Sequence, residues 1–266
     1  MKRLLLLLVA IVGMTLQGRA QLPFKVEAPK FQKFVKVIAK DVNLRQQPSA
    51  SSSRLIFESN LSDDCLDCEP SLVWSNKPLR RGDYPARASI LAVIGESGEW
   101  YHVHFYEEYY EPQEAYIMKK FCAEMPLRPL SRADINKGDG VDVIQIKSGK
   151  YQGLCLMRCL GWYDVTILRI GGYVDGMFVF PYCIEYSSNW MDDRTKFGKM
   201  DDGERLFFSD SLFSSNDEYE RDELDLEKLA SNTQTLDLLM NNLNKCDKDG
   251  TIYFGIKGDS NLYVIQ

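Results

Sequence analysis

Ala92-Val93-Ile94-Gly95-Glu96-Ser97-Gly98-Glu99-Trp100-Tyr101-His102-Val103 reads as a strand, a tight turn and a second strand. The first strand is expected over Ala88 to Gly95 and the second over Glu99 to Tyr106, with Glu96-Ser97-Gly98 reversing the chain between them. Because successive side chains of a strand alternate in direction, Tyr101, Val103 and Phe105 fall on one face and Trp100, His102 and His104 on the other. Gly98 permits the tight reversal.

Outward from this pair, strand composition recurs at Phe34 to Ala39, Arg54 to Phe57 and Glu114 to Lys119. Asp41 to Pro48 carries turn chemistry, with Pro48 fixing the backbone. Residues 58 to 85 are dense in Asn, Asp, Pro and Gly and read as an insertion. Pro126 and Pro129 mark a linker over 125 to 132. Beyond it, Val141 to Ile146, Gly153 to Cys159, Tyr163 to Ile170 and Met177 to Ile184 read as strands, with Gly149, Gly161, Gly171-Gly172 and Gly176 at turns. Ser214 to Glu227 is acidic and polar, and its run 217 to 227 reads as a solvated loop, with a weak calcium site as the alternative. One helix is expected over Leu226 to Asn244, where Leu229, Leu236, Leu239, Met240 and Leu243 recur at helical spacing. A turn at Asp247 to Gly250 and a terminal hairpin around Gly258-Asp259 complete the chain.

Two of these stretches together resemble the bacterial SH3-like domain family. Ile38-Ala39-Lys40-Asp41-Val42-Asn43-Leu44-Arg45-Gln46-Gln47-Pro48-Ser49 is similar to the first half of its signature, an alanine, then Asn and Arg around one apolar residue, then Pro-Ser. The stretch ending in Trp100-Tyr101-His102-Val103 resembles the second half, and Tyr116-Ile117 stands where the closing strand belongs. The resemblance covers about a third of the chain. It implies a small β-barrel over 34 to 124, interrupted at 58 to 85, with a ligand groove beside its loops. The expected fold is therefore mainly β, an N-terminal SH3-like β-barrel followed over 133 to 266 by a β-rich α+β domain with one main helix. The chain departs from the family in its long insertion, in its aromatic and acidic loop 106 to 113, and in Glu114 or Ala115 where a glycine is common.

The N-terminus shows Lys2 and Arg3, an apolar run from Leu4 to about Met14, and Gly18-Arg19-Ala20 ahead of Gln21. That is the layout of a secretory signal over 1 to 20, followed by a leader over 21 to 33, and it points to a periplasmic or extracellular protein cleaved near Ala20. The apolar run is shorter than the roughly 20 residues a membrane-spanning helix requires, so no membrane insertion is expected. Cleavage would remove three basic residues and no acid, moving the formal charge from -6 to -9. An acidic surface without a basic patch argues against nucleic acid as a partner.

The catalytic alternatives are thin. Members of this family often accompany cysteine peptidases, but the two histidines, His102 and His104, both lie in the barrel motif, leaving residues 131 to 266 without a base for a thiolate or hydroxyl nucleophile. Cys65-Leu66-Asp67-Cys68 has redox spacing, yet its acidic surroundings oppose a reactive thiol and favour a structural disulfide, local or to a distant cysteine. His102 and His104 with Glu107 read as a solvated strand face rather than a metal set, and aligning Gly250 on a calcium-loop glycine puts Lys245 and Ile256 where ligands belong. No catalytic residue, metal or cofactor is assigned. The candidate ligand-binding residues are Trp100, Tyr106, Tyr109, Tyr110 and Tyr116, with Glu107 and Glu108. Tyrosine rings suit stacking on sugars or peptides, and carboxylates favour the amines of cell-wall peptides. The expected function is that of an exported, non-enzymatic binding protein recognising a peptide or a cell-wall glycan, or another envelope protein. A hydrolase using paired carboxylates and a protein-docking assembly factor are the alternatives.

Overall fold

A computed structural model describes residues 22–27, 31, 33–59, 69–107, 110–136, 141–160, 165–187, 197–199, 205–216 and 221–265. The segment expected to be a signal sequence, Cys65 and Cys68, Glu108 and Tyr109, and the turn expected at Gly161 lie outside them. The protein is mainly β and divides into two units, one of residues 29–128 with 255–261, the other of the remaining described residues.

The first unit contains β1 (Lys33–Val37), β2 (Arg54–Glu58), β3 (Ser71–Ser75), β4 (Tyr84–Pro85), β5 (Ile90–Ser97), β6 (Trp100–Phe105), β7 (Gln113–Met118) and β8 (Cys122–Arg128). One antiparallel sheet runs β7-β6-β5-β1-β8, and a second runs β3-β2-β4. Alternation along β6 places Tyr101, Val103 and Phe105 inward, at 5, 0 and 0% exposure. They meet Val35, Leu55, Phe57, Leu91 and Ile117 in a core shared by both sheets. A closed barrel is the expectation, but the ladders stay open. The two sheets are linked by isolated bridges at Arg45, one to Tyr116 of β7 and one to Arg54 of β2.

Two other expectations for this unit need correction. Residues 58 to 85 are not a structureless insertion, since Ser71–Ser75 and Tyr84–Pro85 flank β2 as β3 and β4. Their prolines and glycine obscured short strands, and Pro85 is tolerated because it sits on an edge. The linker expected from residue 125 begins as strand, because Cys122–Arg128 pairs along β1. The Pro126 carbonyl accepts from Lys257 N (2.7 Å), so its missing N–H also points away from β1 and interrupts no bond there.

The second unit contains α1 (Arg132–Ile135), β9 (Val141–Gln145), β10 (Leu154–Leu160), β11 (Val165–Val174), β12 (Met177–Ser187), β13 (Phe197–Lys199), β14 (Arg205–Phe207), β15 (Phe213–Asn216), β16 (Arg221–Leu224), α2 (Leu226–Ser231), α3 (Thr233–Asn241), β17 (Asp247–Ile256) and β18 (Leu262–Ile265). Its antiparallel sheet is ordered β17-β12-β11-β10-β9, with β13 and β14 extending from β12 and β18 pairing β17. Gly255 and Ile256 at the end of β17 count in the first unit, where they pair with Arg128 and Leu127.

Both faces of this sheet are buried, which explains the unbroken apolar run Leu154 to Met157. Leu154, Leu156, Leu168 and Ile184 pack with Leu229, Leu236 and Leu239 of the helices. Cys155, Met157, Phe178, Phe180 and Tyr253 pack on the other side with Leu130 and Ile135. Among the described residues no helix is long and apolar enough to cross a membrane.

Four expectations shift here. The helix over Leu226 to Asn244 is two helices, because the Asn232 side chain accepts from Thr235 N (3.0 Å) and caps the second. The acidic run 217 to 227 is not a loop throughout; Arg221–Leu224 within it is a strand that pairs antiparallel with Phe213–Asn216. Asp247 to Gly250 lies in β17 rather than a turn, where Asp249 forms a buried pair with Arg169. Gly171 and Gly172 lie inside β11 at a register shift rather than at its end.

Candidate ligand-binding site

The alternation that fills the core of the first unit also sets an outward strip across β6 and β7. Trp100 lies opposite Met118, His102 opposite Tyr116 and His104 opposite Glu114. The His102 and Tyr116 rings stack at 4.5 Å and 7°, and His102 Nε2 is 3.1 Å from Glu114 Oε2. Burial holds the His104 imidazole below its ordinary pKa. Trp100 and Met118 line a cavity of about 270 Å³ with Asn43, Arg45 and Phe121. Tyr116 is thus engaged by its histidine neighbour, and Tyr106 stands 38% exposed just after β6.

Tyr110 and Glu107 belong to a different place. Tyr110 N donates to Glu107 O (3.1 Å). Its hydroxyl donates to Pro70 O (2.7 Å), and its ring meets Phe57 edge-on at 5.2 Å and 70°. Tyr84 lies nearly flat on Phe57, at 4.9 Å and 28°. Phe57 is buried whereas Tyr84 keeps 49% of its surface. One edge of an aromatic cluster therefore faces solvent in a groove of about 770 Å³, rimmed by Glu69, Glu107 and Arg87.

The groove carries charges of both signs. The Tyr110 hydroxyl is raised above its ordinary pKa, first by desolvation and then by negative charge at Glu69, with Glu107 adding to it. Arg87 Nη2 donates to Asp41 Oδ1 (2.8 Å). Arg87 also lines a neighbouring cavity of about 350 Å³, whose wall includes Asp41, Val42 and Leu91.

Of the seven residues expected to bind ligand, Tyr110 and Glu107 share this groove, Trp100 lines another cavity, Tyr116 stacks on His102, Tyr106 is exposed and lines neither cavity, and Glu108 and Tyr109 lie outside the described residues. Phe57, Tyr84, Glu69 and Arg87 were missed because the segment supplying three of them read as an insertion or its margin. Tyr84 beside Pro85 was the available signal, an aromatic placed among turn residues.

The cysteines of the described residues offer no activated nucleophile. Cys122, Cys155, Cys159, Cys183 and Cys246 are free, and burial pushes their thiols up, to about 12 for Cys155 and Cys183 and about 11 for Cys122 and Cys246. Among the described residues no group of three or more His, Cys, Asp and Glu side chains could hold a metal ion. No protein-family model matches the chain, and neither a curated protein nor a solved structure is significantly similar to it.

Proposed function

We propose that this is an exported binding protein of the bacterial cell envelope, whose first unit is an SH3-like domain that takes a cell-wall peptide or related peptide ligand in the groove of Phe57, Tyr84 and Tyr110. The observation that carries this reading is the half-exposed Tyr84 ring laid on buried Phe57 at the edge of a 770 Å³ groove. A rigid aromatic surface supported from beneath loses little conformational freedom when a ligand settles on it. The acidic rim of Glu69 and Glu107 favours peptides that carry amines. The signal-like N-terminus supports export, and the two-part SH3-like signature supports the domain assignment.

Isothermal titration of the purified protein with soluble peptidoglycan fragments tests the proposal. Binding is expected, with Tyr84→Ala weakening it about tenfold, as loss of an aromatic anchor does at a binding hot spot. Trp100→Ala, in a separate cavity, should leave it within about twofold. Absence of binding to every fragment would overturn the reading.

A further inference from the structure

The charges around the groove narrow the ligand. Glu69 and Glu107 stand beside Tyr110, close enough that both raise the pKa of its hydroxyl, while Arg87 lines the same groove. A ligand with a cation alone would place that charge in a groove that also holds a guanidinium. A ligand with an anion alone would meet the two carboxylates. A neutral ligand would cover charged groups of both signs without answering any of them.

We propose that the groove receives a ligand group bearing an ammonium and a carboxylate together, the ammonium against Glu69, Glu107 and the tyrosine rings and the carboxylate on Arg87. This rests on the groove being the binding site proposed above. An ammonium over the exposed face of Tyr84 gains cation–π attraction in addition to the carboxylates. Arg87 has the donors for it. Its guanidinium carries five N–H groups, and Asp41 engages it through Nη2. That pair is exposed, 51% at Arg87 and 79% at Asp41, and exposed pairs contribute little, so a ligand carboxylate displaces or joins it at little expense. Asp41 holds the guanidinium from the side of the adjoining cavity, in the left-handed backbone region (φ 58°) that Asp tolerates better than most residues.

The test uses three forms of one peptide with a blocked N-terminus, acetyl-dialanyl-lysine: the free acid, the C-terminal amide and the Nε-acetylated acid. Binding to the full-length mature protein is followed by chemical-shift titration. The free acid should bind best, with the amide and the Nε-acetyl form each weaker by about fivefold, the size expected of one partly exposed ion pair. Arg87→Gln should abolish the difference between acid and amide while keeping the Nε-acetyl penalty. Glu107→Gln should shrink the Nε-acetyl penalty and keep the amide penalty. Equal affinity for all three forms, or penalties that neither variant alters, would overturn the inference while leaving the groove as a peptide site. If no form shifts any resonance of the groove while peptidoglycan fragments do bind, the paired-charge inference falls alone. If neither binds, the binding-site reading falls with it.

Discussion

A methyl group added at Gly171 would sit 1.9 Å from Val179 O and 2.7 Å from Phe180 Cα, both backbone atoms that cannot turn aside. Gly171→Ala is therefore expected to destabilise the protein by about 3 kcal/mol, measured as a lower urea midpoint, since overpacking against main chain forces the strands apart. The Gly171-Gly172 pair was legible in the sequence as a special position but not as the right one. A glycine that lets two strands approach closely and a glycine that lets a chain reverse look alike in one sequence. The buried Arg169 and Asp249 pair was likewise hidden, because Asp247 to Gly250 has the composition of a turn. Arg169 also donates from Nη1 to Cys159 Sγ (2.8 Å), so this guanidinium is held from two sides. Asp249→Ala leaves a buried cation without its carboxylate and should cost about 3 kcal/mol or more. Replacing both partners by Met and Leu should recover most of that loss in the same unfolding experiment.

At the level of elements, side-chain capping decides where the helical segment breaks. Asn232 ends α2 and begins α3, its side chain holding Thr235 N at 3.0 Å. Asn232→Ala should lower stability by about 1 kcal/mol, read from thermal or urea unfolding, and Asn232→Asp should be nearly neutral. The leucine spacing through this stretch announced helix but not its interruption, because both helices bury the same kind of residue on one side. Strands with one buried face were the most readable elements, as β6 illustrates: Tyr101, Val103 and Phe105 alternate inward as the sequence requires. The short strands β3 and β4 had no such length of alternation, and with them went half of the groove. Tyr110 and Glu107 were legible as a candidate pair because the loop that bears them is conspicuous in composition. Phe57 and Tyr84 become a site only through pairing across β2 and β4, which no local pattern announces.

Across the whole molecule, charge and thiol burial set how it responds to conditions. Lys33 contacts Glu96 (2.7 Å) and Glu124 (2.8 Å), Lys119 contacts Glu96 (2.6 Å), and the Tyr101 hydroxyl donates to Glu124 (2.5 Å). Hydrogen bonds from Lys119 and Lys33 lower Glu96 from 4.5 to about 2, and burial followed by the Glu124 contact raises Tyr101 from 10.0 to about 12. A depressed carboxylate contributes stability above its unfolded pKa and loses it on acidification, so the Glu96 contribution fades between pH 4.5 and about 2. A raised phenol contributes below its unfolded pKa and loses that contribution between pH 10.0 and about 12. Both contributions are thus fully present between these limits, and Glu96→Gln should flatten part of the acid limb of the melting-temperature profile. The thiols make a second whole-molecule prediction. Cys155, Cys159 and Cys246 are buried, so iodoacetamide at neutral pH should leave them unmodified in the native protein and label all three in denaturant, as mass spectrometry would show.

The bridge at Arg45 has a mechanical consequence. Its N–H and carbonyl exchange hydrogen bonds with Tyr116 (2.8 and 2.7 Å), and it also bridges to Arg54. Phe57 and Tyr84 stand on the three-stranded sheet and Glu107 and Tyr110 beside the strands that Tyr116 belongs to, and besides the bridge at Arg45 the Tyr110 hydroxyl on Pro70 O and the shared core tie the two sides together. Parting the two sides would break the Tyr110 hydrogen bond as well as the bridge, so the amide of Arg45 is expected to exchange slowly with deuterium and Tyr110→Phe to speed that exchange.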